Sequence, residues 1–266
     1  MSKKYAYCTS ITKDVFIPCI ILNKRIMDYL ECKYPLVVLV TDEVSEEGIK
    51  ELEEYNIIVK KVPSLIFNFL DEDNKGFLNF LKNIMINYSC CLLEEYDLIF
   101  NFEADIILLE NIDNLFDVVN KKMKEYHSFT FWKDDMFYKS NLDEINTQIF
   151  FCKPNLKTYY EITSLINKSK LIKDDHSVAR VFYYNNPVFG DETKMPLVIN
   201  FRGHPKLWIF KDYFPFLKEL FYNNKKSLTE KEYKFLMNNA ELFDNFTRII
   251  SIEDRLDILT FLNIEL

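Results

Sequence analysis

The run Pro35-Leu-Val-Val-Leu-Val40 places the tightest constraint on what this chain can fold into. It is apolar without alternation and rich in β-branched residues, so it reads as a strand buried on both faces. Such a strand needs helices above and below it. The flanking segments can supply them. Tyr5–Ser10 reads as a strand, and Ile20–Tyr29 carries apolar residues at helical spacing. Ser45 can cap a helix whose first turn holds Glu46 and Glu47, where negative charge is favourable, with Ile49 and Leu52 on the inner side. Asn56–Val62 is a further strand, Phe77–Glu95 a long helix and Asp97–Phe102 a strand.

Beyond Phe116, strands are expected at Phe129–Trp132, Ile145–Cys152 and Leu197–Phe201, and helices at Leu156–Ile166 and Asp175–Tyr184. From about Asp212 the pattern is helical and rich in leucine and aromatic residues. This alternation predicts an α/β fold, a mostly parallel sheet flanked by helices. Residues 1–211 are expected to form that domain, with 212–266 a C-terminal helical extension packed on it. No linker, repeat or low-complexity tract divides the chain.

Composition narrows the function. With 266 residues the chain can bury a full core. A net charge of −8 argues against a nucleic-acid partner, which would require a basic face. No apolar run approaches the roughly 20 residues that span a bilayer. No signal peptide is evident after Met1. The six cysteines lack CxxC spacing and lie mostly in apolar surroundings, so they are expected as reduced, buried thiols in a cytoplasmic protein.

Chemistry concentrates in Asp97-Leu-Ile-Phe-Asn-Phe-Glu-Ala-Asp105. Glu103 and Asp105 would face one side together if the backbone stays extended there. Like charges held so close call for a divalent cation between them. Their place at the end of a strand adds weight, because open α/β sheets bind ligands outside the carboxyl ends of their strands.

Four segments, in order, are similar to the family 8 glycosyltransferases and, within them, to glycogenin-like catalytic domains. They are Ala6-Tyr-Cys-Thr-Ser-Ile-Thr-Lys-Asp-Val-Phe16, Lys33-Tyr-Pro-Leu-Val-Val-Leu-Val-Thr-Asp-Glu-Val-Ser45, Glu103-Ala-Asp105 with Asn111-Ile-Asp-Asn-Leu-Phe116, and Asn200-Phe-Arg-Gly-His-Pro-Lys-Leu-Trp208. The resemblance spans about Tyr5 to Trp208, and four ordered matches are far more specific than one. It implies a GT-A fold, a UDP-glucose donor, Mn2+ or another divalent cation, and retention of anomeric configuration.

By position, the resemblance places Glu103, Asp105 and Asn200 as metal ligands. It puts Thr12 and Phe16 against the uracil and ribose, Ala104 among the donor contacts, and Asn146 and Gln148 on the sugar-contacting segment. Gly203 and Lys206 match the diphosphate-binding pair. Asp174 and Asp175 match an acidic-amide pair beside the reacting carbon, although both also suit a helix N-terminus. Asp174, Asp175 and Lys206 would then carry catalysis. The acceptor would be a protein or glycan hydroxyl, including a tyrosine of the chain itself, and a homodimer is compatible with the family.

The chain also departs from the family pattern. Glu103 replaces an aspartate, Asn200 a histidine, Thr147-Gln148 a serine-glycine pair and Ala179 an asparagine. Asn87 stands at the spacing of an expected lysine, while Ser10 and Lys13 replace a leucine and an asparagine beside the base. His204 could serve as a ligand if its loop bends back. These changes predict a weakened metal site. They also open a second reading, a degenerate member that binds UDP, a UDP-sugar or a partner without efficient transfer. A nucleotidyltransferase would want a glycine-rich phosphate loop after the first strand, which is missing. His127 and Trp208 read as structural.

Overall fold

The computed structural model describes residues 3–64, 81–133, 145–168, 178–179, 188–189, 196–201, 206, 208, 215–222 and 226–246. Among these residues the main sheet has seven strands: β1 (Tyr5–Ile11), β2 (Leu36–Val40), β3 (Ile58–Lys61), β4 (Leu98–Phe102), β6 (Phe129–Lys133), β7 (Ile145–Cys152) and β8 (Val188–Phe189). The order across it is β3-β2-β1-β4-β7-β6-β8. Of these seven, β7 runs against the others, pairing antiparallel with both β4 and β6. A second, two-stranded antiparallel sheet joins β5 (Ile106–Leu108) to β9 (Val198–Asn200).

Strand β2 behaves as its composition requires. Leu36, Val38 and Val40 enter one core and Val37 and Leu39 the other. The first core is closed by α1 (Ile17–Tyr29), α2 (Glu46–Glu54) and α3 (Asp113–Lys122). The second is closed by a 3-10 helix at Ile86–Leu92 and by α4 (Leu156–Lys168). Ser45 caps α2 through its hydroxyl, which accepts from the Gly48 amide at 3.0 Å. The six cysteines are free thiols, five of them buried. Cys90, Cys91 and Cys152 converge in the second core, where they pack as small hydrophobes.

The long helix expected over Phe77–Glu95 is not continuous. Residues 77–80 lie outside the described residues, 81–85 are α-helical, and Ile86–Leu92 tightens into the 3-10 form. Asn87-Tyr-Ser-Cys-Cys91 is a run of weak helix formers. Burial decides its shape: the Tyr88 ring stacks on Phe150 and meets Phe129 edge-on. Of the helix expected at Asp175–Tyr184, only the helical residues 178–179 are described.

The segment Asn111–Phe116, one of the matched motifs, is a structural anchor. Asp113 accepts from the Tyr7 hydroxyl at 2.9 Å and the Lys33 amide at 2.8 Å, while Asn111 donates to the Leu30 carbonyl at 2.9 Å. Phe116 packs among the rings of Tyr5, Tyr7, Tyr34 and Phe151. Together these contacts pin α3 to β1 and to the chain between α1 and β2.

In the C-terminal part, α5 (Pro215–Tyr222) and α6 (Glu230–Phe246) form a third core with α1 and the β5–β9 ladder. Helix α1 is therefore sandwiched. Ile20 and Ile21 face the sheet, whereas Cys19, Leu22 and Ile26 face the C-terminal helices, and a helix covered on two sides is apolar almost all round. Thr229 and Glu232 form a reciprocal capping box at the start of α6: the Glu232 amide donates to the Thr229 hydroxyl at 3.2 Å, and the Thr229 amide donates to the Glu232 carboxylate at 2.8 Å. Arg25 of α1 adds a guanidinium 3.2 Å from the same carboxylate.

Burial alone would raise the Glu232 carboxyl above its ordinary value, but the Thr229 hydrogen bonds and Arg25 outweigh it and hold it below that value. A carboxyl lowered in the folded state stabilises the fold above the ordinary carboxylate range, and this stability is lost as pH falls through the folded value. Thermal melts between about pH 6 and about pH 3 are expected to show a steeper fall for the native chain than for Glu232→Gln. Parallel curves would remove Glu232 from the acid response. No helix among the described residues is long and apolar enough to cross a membrane.

Candidate functional site

The site is built at the carboxyl end of β4. Phe102 is buried, and the next three residues, Glu103-Ala-Asp105, leave the sheet in a tight turn closed by the Ile106 amide donating to the Glu103 carbonyl at 3.1 Å. The pair is therefore not set by strand alternation, as the spacing suggested. A turn projects it beyond the sheet edge, and β5 begins directly after it.

Strand β9 lies opposite. Ile106 pairs with Asn200, and the Phe201 amide donates to the Asp105 carbonyl at 2.9 Å. From the main sheet, β7 contributes Gln148, whose carbonyl accepts from the Glu103 amide at 2.9 Å. Its side chain bridges Glu103 and Asn200: Nε2 donates to Glu103 Oε2 at 3.1 Å, and Oε1 accepts from Asn200 Nδ2 at 2.7 Å. Asn200 thus commits its amide nitrogen to Gln148, and its oxygen is the atom it can offer to a cation. Asn146 sits two residues before Gln148, where its Oδ1 accepts from the Gln148 and Ile149 amides at 2.9 and 3.3 Å. The β6–β7 register shifts beside it, so Asn146 shapes the bend that presents Gln148.

Lys206 completes the cluster. Its ammonium forms an ion pair with Asp105 Oδ2 and donates to the Phe201 carbonyl at 2.8 Å. Helix α1 backs this pair. The Cys19 thiol is pushed up chiefly by burial and further by Asp105, with Lys206 acting the other way.

At the neighbouring carboxyl end of β1, Thr12 is buried and donates its hydroxyl to the Asn83 carboxamide oxygen, while Ser10 pairs with Asn87. Phe16 meets the Trp208 ring edge-on at 6.3 Å. Asn83 was not legible in the sequence, because nothing local couples it to Thr12 seventy-one residues away. Asn87 was noticed only by its spacing. Trp208 is buried in the third core, as read, and His127 accepts the Lys124 amide at 3.1 Å, a structural role.

The structure thus brings together Glu103, Asp105, Asn200, Gln148 and Lys206, with Ala104 inside the turn and Asn146 beside it. Asp174, Asp175, His176, Gly203 and His204 lie outside the described residues. Two carboxylates and a carboxamide oxygen are hard donors, a set that fits Mn2+, Mg2+ or a similar divalent cation.

No family model matches the chain. Galactinol synthase 2 of Arabidopsis thaliana is 26% identical over 160 residues, covering 50% of this chain and 46% of that protein. The chain spans less than half the length of the curated relatives it matches. Among solved structures, the bifunctional glycosyltransferase WbbM in its apo form superposes with a TM-score of 0.55 at 13% identity, over 88% of this chain and 52% of that one. The galactosyltransferase LgtC, crystallised with donor and acceptor sugar analogues, superposes with a TM-score of 0.50 at 12% identity, over 94% of this chain and 99% of that one. These likenesses show the fold, which is the GT-A type expected from the sequence.

Proposed function

We propose that this chain is a retaining glycosyltransferase that uses a divalent cation, Mn2+ in the first instance, to transfer glucose from UDP-glucose to a hydroxyl. The observation that carries the reading is the Glu103-Ala-Asp105 turn at the carboxyl end of β4, met there by Asn200 and Lys206. The GT-A fold and the partial likeness to a galactinol synthase support it.

Breaking a sugar–diphosphate bond leaves negative charge on the departing diphosphate. A cation held by Glu103, Asp105 and Asn200 would neutralise part of that charge when bound. Lys206 supplies the protein's own positive charge on the same side, as a compact ammonium on a flexible stem. Thr12 and Phe16, at the end of β1, would hold the base and ribose, and Gly203 would admit the diphosphate beside Lys206. Asn146 and Gln148 would border the sugar. Asp174 and Asp175 would stand near the reacting carbon, one of them balancing its developing positive charge. The acceptor is a protein or glycan hydroxyl, and self-glucosylation of a tyrosine is the most specific form of this proposal. The free thiols suit a reducing, cytoplasmic setting, and a homodimer belongs to the same proposal.

A second reading has its own observation. Glu103 already receives a hydrogen bond from Gln148, and Asp105 already carries an ammonium, which suits a chain that binds a nucleotide without turning it over. A panel of UDP-sugars with and without Mn2+ separates the two. Transfer is expected to release UDP only with metal, to proceed fastest from UDP-glucose and to add one hexose to an acceptor by mass spectrometry. UDP binding with no release from any donor would establish the degenerate reading instead. Failure to bind UDP at all would remove both.

A further inference from the structure

The Lys206–Asp105 pair has a consequence for how the site fills. Both groups are sheltered, the lysine side chain 6% exposed and the aspartate 15%, so solvent and salt screen their attraction little. The ammonium is also held from behind by the Phe201 carbonyl at 2.8 Å. With Lys206 in place, the Glu103–Asp105–Lys206 group carries a net charge of −1, rather than the −2 of the two carboxylates alone. A divalent cation approaching Asp105 meets a neutralised ligand with a positive charge already on it. From the geometry we infer that Lys206 is an internal competitor of the metal: it occupies Asp105 in the empty site and yields only when a nucleoside diphosphate offers it another anion.

This inference rests on the proposed reading of Glu103, Asp105 and Asn200 as metal ligands and of Lys206 as a diphosphate ligand. It goes beyond that reading by assigning Lys206 two alternating partners with opposite effects. In the empty site it opposes the cation. Once a diphosphate is present, the ammonium leaves Asp105 for the phosphate oxygens, and the freed carboxylate becomes a full ligand. Metal and nucleotide then each raise the affinity for the other, as a shared coupling energy requires. The arrangement keeps the carboxylates from collecting cations when no nucleotide is bound.

Calorimetric titration of the full chain with Mn2+ alone, with UDP alone and with Mn2+ after UDP tests this, using the native protein, Lys206→Met and Lys206→Gln. Thermal melts identify which variants are folded, and two neutral replacements of different length guard against one failing. The native chain is expected to bind Mn2+ at least about tenfold more tightly with UDP than without, about 1.4 kcal/mol. In a folded variant, Mn2+ alone is expected to bind about tenfold more tightly than to the native chain, while UDP binds more weakly. A lysine that served only the diphosphate would leave the affinity for Mn2+ alone unchanged. If the native chain takes Mn2+ with UDP but the variants show unchanged or weaker binding of Mn2+ alone, the inference is overturned and the metal reading stands. If the native chain takes no Mn2+ even with UDP, the metal reading fails and the inference falls with it.

Discussion

Replacing Asp105 with asparagine is expected to lower sugar transfer by about a hundred- to a thousandfold, the usual scale for losing one preorganised electrostatic group at a site of developing charge. The substitution keeps the shape of the turn and removes one of its two carboxylate charges. It also leaves the Lys206 ammonium facing a neutral amide and the Phe201 carbonyl, in a setting only 6% exposed, and a buried charge without its counter-ion is costly. The variant is therefore expected to melt below the native chain as well as to turn over slowly. The UDP-release rate as a function of Mn2+ concentration separates the two effects, because a ligand loss raises the metal concentration needed for half-maximal rate whereas a folding defect lowers the active fraction. Native turnover at saturating Mn2+ with an unchanged Mn2+ concentration for half-maximal rate would exclude Asp105 from the machinery.

The second large effect lies away from the site. Arg25→Met is expected to cost about 3–5 kcal/mol of stability in urea unfolding, the range for breaking a buried ion pair by removing one partner. Arg25 is 1% exposed on its side chain. One arm of its guanidinium donates to the Leu220 carbonyl at 2.9 Å, one of the last-turn carbonyls of α5 that the helix itself leaves open. The other arm reaches Glu232 in the capping box of α6. A single side chain of α1 thus fastens α5 and α6. In the variant Arg25→Met with Glu232→Gln, no charge is left stranded, so the pair of changes is expected to cost less than the sum of the singles. Simple additivity, or a loss under about 1 kcal/mol of the kind exposed pairs give, would show that Arg25 does not hold these helices.

Much of the fold could be read locally. The unbroken apolar run of β2 demanded cover on both faces, and Ser45 with Glu46 and Glu47 marked the start of α2. The 3-10 conversion of Ile86–Leu92 could not be read that way. Helical spacing says which residues are apolar, but only the rings of Phe129 and Phe150 decide how Tyr88 is seated. The site shows the same division. Glu103, Asp105, Asn200 and Lys206 were each named from their motifs, and the structure places them together. For Glu103 and Asp105, the condition that the backbone stay extended is not met: a turn closed by the Ile106 amide sets the pair instead.

By itself the sequence determined the class of the fold, most of its strands and helices though not β5, β8 or α3, and the identity of the residues at the carboxyl end of β4. Those follow from periodicity, capping and motif order, all of which act over short stretches of chain. The tertiary structure alone decided the partners: Gln148 between Glu103 and Asn200, Lys206 on Asp105, Thr12 on Asn83 and Arg25 on Glu232. Each of these links residues far apart in sequence, where chain connectivity imposes no preference. A charge or amide that leaves water takes whichever partner the packed sheet and helices bring within reach, and that choice exists only once the core has closed.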